Sequence, residues 1–123
     1  MANALNWFEI PVTDLGRAKA FYEKVLDTEL IDAEDESDME MAMFPASDGV
    51  GGGLVKSETW PYVPSRDAGI IYLNGGDDLS VPLGKVEAAG GEVIQDKMGI
   101  GENGFIALFV DSEGNRVGFH SMG

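Results

Sequence analysis

Cysteine is absent from the 123-residue chain. Disulfides, thiolate metal sites and cysteine nucleophiles are therefore excluded, and nothing in the composition points to an oxidising compartment. Basic side chains are few and scattered: 8 lysines and arginines stand against 22 acids, a net charge of −14. Phosphate backbones and anionic lipid repel such a chain, so neither nucleic acid nor a membrane surface is an expected partner. No apolar run approaches the length of about 20 residues that spans a bilayer. The opening MANALNWFEI has no basic segment leading into an apolar one, and the expectation is a cytoplasmic protein. A GxSxG elbow is missing and Ser121 is terminal, so no nucleophilic triad is in view.

What remains is 44% hydrophobic, enough for one globular domain of this length to bury roughly two thirds of the unfolded chain's surface. Eight acids and no base fall between Asp27 and Glu40. That run lacks the glycine and ordered ligand positions of a calcium loop and reads as a solvated acidic segment.

The most informative pattern is internal. MAMFPASDGVGGGLV matches IALFVDSEGNRVGFH at an offset of 64 to 65, aligning Phe44 with Phe109, Gly49 with Gly114 and Gly53 with Gly118. Upstream, NWFEIPVTDLGRAKAFYEKVL faces GIIYLNGGDDLSVPLGKVEAA. One supersecondary unit occurs twice, with modules at about 1–56 and 68–123 joined by a linker at 57–67 within a single domain. In the first, Asn6 to Val12 reads as a strand. Thr13-Asp14 is a helix start, and Leu15, Ala18, Phe21, Tyr22 and Val25 recur at helical spacing. Met39 to Phe44 and Val50 to Val55 form a hairpin about a turn at Ala46 to Gly49. The second module repeats the plan: a strand at Ile70 to Asn74, a helix from Asp78 to Ala89, a strand at Glu92 to Ile94, and a closing hairpin of Phe105 to Val110 with Arg116 to His120. The expected fold is α+β, with two paired βαβββ modules forming a cupped mixed sheet and helices on the outside.

The signature FEIPVTDLGRAKAFYEKVL, the paired glycines after the second helix and the closing DSEGNRVGFH together resemble the vicinal oxygen chelate superfamily, which includes glyoxalase I, bleomycin resistance proteins and extradiol dioxygenases. The nearest resemblance is to a bacterial glyoxalase-like subgroup of unassigned function. It implies modules that each curve into half of an open barrel around a cavity, and chains that pair as homodimers. It also implies a divalent metal held by one side chain from the first and last strand of each module. Those positions carry over onto Trp7, Gly53, Ile71 and Gly118, and none supplies an imidazole, carboxylate or thiolate donor. No metal and no other cofactor is therefore expected.

Strand alternation places Glu9 on the face of Trp7, His120 on that of Gly118, Val55 on that of Gly53 and Leu73 on that of Ile71. Glu9 and His120, the chain's one histidine, would then be the polar pair of an apolar cavity. Two readings stay open. One is a small-molecule-binding protein whose ligand touches Trp7, Gly53, Trp60, Ile71 and Gly118; the other is a metal-independent lyase or isomerase using Glu9 and His120 for acid–base chemistry. Trp60, Tyr62, Phe105, Met39, Met41 and Met43 belong either to an apolar pocket or to core and dimer packing. GIGENG at 99–104 matches GxGxxG, but it precedes a strand and reads as turn glycines.

Overall fold

The computed structural model describes residues 4–33, 39–47, 49–59 and 62–123. It contains the paired βαβββ modules of an α+β fold. The first comprises β1 (Trp7–Pro11), α1 (Leu15–Leu26), β2 (Ile31–Ala33), β3 (Glu40–Met43) and β4 (Gly51–Lys56). The second comprises β5 (Tyr72–Asn74), α2 (Ser80–Leu83), β6 (Glu92–Gly99), β7 (Phe105–Val110) and β8 (Arg116–Ser121). Each builds a four-stranded mixed sheet, in the orders β1-β4-β3-β2 and β5-β8-β7-β6. In both, the first strand runs parallel to the last and the remaining pairs are antiparallel.

Helix α1 forms where the sequence marks it. Asp14 is extended and accepts from Arg17 N at 3.0 Å, satisfying one of the free donors of the first turn. Asp27 ends the helix in the left-handed region at φ 51°. The buried stripe Ala18, Phe21, Tyr22 and Val25 meets Ile10, Ala42 and Leu54 of the first sheet and Leu73, Phe109, Val117 and Phe119 of the second in one continuous core. Phe21 lies edge-on to Tyr22 with ring centroids 4.9 Å apart, and Phe109 stacks on Phe119 at 4.7 Å. Because α1 packs on residues of both sheets, the two modules share this core.

Three elements differ from the sequence reading. The second helix is α-helical only over Ser80–Leu83. Beyond it the chain tightens into three-residue turns, Lys85 N to Pro82 O, Val86 N to Leu83 O and Gly90 N to Glu87 O. Pro82 removes a donor and Gly84 weakens helix by about 1 kcal/mol relative to alanine. Strand β6 extends to Gly99 through the polar run Gln95-Asp96-Lys97, with two register shifts. It is an edge strand, where charge and irregularity are tolerated. Strand β2 lies inside the acidic run, and Asp32 there pairs with Lys19 at 3.1 Å while Glu40 pairs with Lys56 at 3.4 Å. Glu34, Asp35, Glu36 and Asp38 of that run lie outside the described residues. The GIGENG segment is a turn, with Gly101 and Gly104 at φ 80° and 95°.

Candidate functional site

Pairing registers settle which side chains share the faces turned away from the core. In the first sheet Trp7, Glu9 and Pro11 stand opposite Gly51, Gly53 and Val55, and Met43 and Met41 stand opposite Gly53 and Val55. Their neighbours Ile10, Leu54 and Ala42 point to the core. On this open face the Trp7 ring lies over Gly51: a Cβ there would come within 3.1 Å of the indole. A glycine floor lets the ring lie flat on the sheet. Trp7 is 42% exposed, and its indole N–H donates to Glu9 Oε2 at 3.3 Å. Tyr62, from the segment between modules, donates its hydroxyl to the other Glu9 oxygen at 2.5 Å. The bond to Glu9, with burial and the carboxylate's charge adding to it, pushes the Tyr62 phenol up, so it remains a donor.

In the second sheet Tyr72 stands opposite Gly118 and Asn74 opposite His120. Tyr72 is half exposed, and its ring covers Gly118, where a Cβ would come within 2.5 Å of it. Leu73 is buried in the core and Ile71 packs against it, so the face expected for Leu73 is taken instead by Tyr72 and Asn74. His120 Nε2 lies 2.5 Å from the backbone oxygen of Asn103. A carbonyl has no proton to give, so Nε2 carries the hydrogen. Phe105 packs against the core beneath the Lys97 ammonium, 4.5 Å from its ring centre. Trp60 lies outside the described residues.

Glu9 and His120 each have their own partners, and no hydrogen bond joins them. They also line different hollows. His120, Tyr72 and Asn74 border an open depression of about 820 Å3 with Asp77 and Met122. Glu9 borders a narrower cleft of about 110 Å3 with Ile71, Arg116 and Val117. Sequence reasoning missed Tyr72, Asn74 and Arg116, although the period-two pattern around Gly118 and His120 carried the signal for the last.

The paired βαβββ modules, each with its four-stranded mixed sheet, define the class of fold. The chain belongs to the Glyoxalase/Bleomycin resistance protein/Dioxygenase superfamily, whose family model matches residues 4–119. Among solved structures, glyoxalase I from Zea mays is 22% identical with a TM-score of 0.68, covering 94% of this chain and 44% of that one. This chain thus spans less than half of the maize enzyme's length. TnmS3, an antibiotic binding protein from Streptomyces sp. CB03234, is 23% identical with a TM-score of 0.71, covering 100% of this chain and 99% of that one. A glyoxalase/bleomycin resistance protein from Albidiferax ferrireducens T118 is 16% identical with a TM-score of 0.70, covering 95% and 98%. No curated protein matches the sequence.

The family implies a divalent metal, and the donors at the corresponding positions do not fit one. Gly53 and Gly118 have no side chain, Ile71 packs against the core, and Trp7 offers an indole N–H, a donor only. Among the described residues no three of histidine, aspartate and glutamate converge into a metal-holding group. No helix among them is long and apolar enough to cross a membrane.

Proposed function

We propose that the protein binds a small apolar or aromatic molecule against the open face of the first sheet, with Trp7 as the stacking surface and Met41 and Met43 as adaptable walls. The observation that carries this reading is the Trp7 ring, laid on Gly51 and fixed by its bond to Glu9, which Tyr62 holds in turn. An aromatic surface held in place before binding loses little freedom when a ligand stacks on it. An antibiotic-binding protein of the same fold supports binding as the task. Acid–base catalysis by Glu9 and His120 has less support, since the two line separate hollows.

The test is a thermal-shift screen of aromatic metabolites on wild type, Trp7→Ala and Glu9→Ala. A hit should lose about tenfold in affinity in Trp7→Ala, the scale of one aromatic anchor. A hit bound unchanged by both variants places the ligand elsewhere.

The same reading includes a homodimer in a reducing cytoplasm. Trp7, Ile31, Tyr72 and Met98 are exposed apolar side chains on the two open faces, and a second copy would cover part of that surface. Sedimentation equilibrium at micromolar concentration is expected to give twice the 13.1 kDa of the chain. A species of 13.1 kDa would overturn the dimer.

A further inference from the structure

Residues 62–71 cross the seam between the modules and are tied to it at several points. Tyr62 bonds Glu9, Ser65 N donates to Asn115 Oδ1 at 3.0 Å, and Arg116 donates its backbone N–H to Ser65 O at 3.3 Å and Nη2 to Ala68 O at 2.9 Å. Beneath this strap lies the cleft of about 110 Å3, walled by Glu9, Pro11, Val63, Ile71, Arg116 and Val117. The Arg116 Nε is shut off from solvent and has no hydrogen-bond partner. Buried donors without partners are rare in folded proteins.

Arg17, Lys19, Lys56 and Lys97 each pair with a carboxylate. Of the eight basic side chains, Lys24, Arg66, Lys85 and Arg116 make no ion pair among the described residues, in a chain that carries 22 acids. Glu9, which borders the same cleft, has both oxygens engaged, by Trp7 and by Tyr62. The strap's bonds therefore occupy the acid that borders this cleft, while Arg116 lines the same cleft with Nη2 on Ala68 O and no partner at Nε. Arginine presents planar donors suited to a carboxylate, whereas a neutral oxygen would leave its charge uncompensated.

We infer that the molecule bound on the open face carries a carboxylate, which Arg116 receives in this cleft while the aromatic portion rests on Trp7. This inference rests on the binding function proposed above and names the charge its ligand bears. Arg116 thereby selects acids over their neutral counterparts against the repulsion of a −14 chain.

Matched probes test it: indole-3-acetate against indole-3-acetamide, and benzoate against benzamide, by titration calorimetry on wild type, Arg116→Met, Arg116→Lys and Trp7→Ala. Wild type is expected to bind each acid about tenfold more tightly than its amide, the scale of one charge-assisted bond. Both Arg116 variants should erase most of that preference, and Trp7→Ala should weaken the indole acid and amide alike. Arg116→Lys keeps a charge and a donor for Ala68, so it also serves if Arg116→Met does not fold. Equal binding of acid and amide by wild type, with both weakened in Trp7→Ala, overturns the carboxylate while the binding function stands. An acid preference that survives both Arg116 variants overturns the role of Arg116. Failure of every probe to bind folded wild type overturns the carboxylate and counts against the binding function as well.

Discussion

Replacing Asp111 by alanine is expected to lower the free energy of unfolding by about 3–5 kcal/mol, because it strands several buried donors at once. Asp111 is 3% exposed. Its Oδ2 accepts from the Tyr22 hydroxyl at 2.6 Å and Asn115 Nδ2 at 3.2 Å, and its Oδ1 accepts from the backbone N–H groups of Glu113 at 2.8 Å and Asn115 at 2.9 Å. Burial pushes the Tyr22 phenol well above its ordinary range, with the Asp111 charge adding to the effect, so the hydroxyl stays a donor. Asn115 passes the connection on to Pro11 O at 2.7 Å, so one carboxylate joins α1, the β7–β8 turn and the end of β1. Tyr22→Phe, which removes one donor and leaves the others paired, should cost less, about 1–3 kcal/mol. Urea unfolding with unchanged slope checks both, since a shifted midpoint then reports stability alone. A midpoint for Asp111→Ala close to that of Tyr22→Phe would show that the backbone donors find other partners.

The repeat made the architecture readable because both copies keep the same landmarks: a capped helix start after the first strand and a glycine turn in the closing hairpin. Elements with one strong local signal came through, such as α1 with its stripe of Ala18, Phe21, Tyr22 and Val25. Those without one did not. Strand β2 is three residues inside an acidic run, and its place comes from pairing Ile31 with Met43. The second helix carries apolar residues at helical spacing, yet Pro82 and Gly84 loosen the backbone that periodicity assumes. Polar residues of β6 hide an edge strand, because a strand with one neighbour need not alternate cleanly.

At the site, alternation correctly put Trp7 and Glu9 on one face, since β1 pairs with β4 without a shift. In the second module the faces of β5 are exchanged relative to that expectation. The offset was known to within one residue, and a one-residue slip exchanges the faces of a strand. Tyr72, rather than Ile71, therefore meets Gly118 across the parallel pair. Tyr62 could be named as aromatic but not as the donor to Glu9, because a loop of irregular conformation has no period from which direction can be read. Arg116 begins β8 and shares the face of Gly118 and His120, but its lack of an ion pair among the described residues is a three-dimensional property.

Glu113 ties the modules together through charge, and its contribution is expected to disappear in acid. Its carboxylate is enclosed, while Arg17 opposite is 53% exposed. It accepts from Thr13 N and Oγ1 and from Asp14 N, each at 2.9 Å, and from Arg17 Nε at 2.6 Å and Nη2 at 3.0 Å. The residue thus holds the entry to α1, where a negative charge also suits the helix dipole. Burial pushes its carboxyl up, but the Arg17 bond and the N–H groups of Asp14 and Thr13 outweigh it and lower the value from 4.5 to about 2. A carboxyl depressed on folding stabilises the native state fully above its unfolded value and loses that effect as pH falls through the folded value. The window therefore runs from 4.5 down to about 2. Glu113→Gln is expected to cost about 1–2 kcal/mol at pH 7, after allowance for solvent screening at the exposed Arg17. More than half of that difference from wild type should vanish by about pH 3. Asp78, whose carboxyl is also lowered to about 2 by the Ser80 backbone N–H and the Lys97 ammonium, titrates in the same window, but it is present in both proteins and cancels in the comparison. Urea unfolding of the two proteins at pH 7, 5 and 3 measures the difference directly. A gap that stays constant across that range would mean that Glu113 holds the modules by shape and hydrogen bonding alone, with no contribution from its charge.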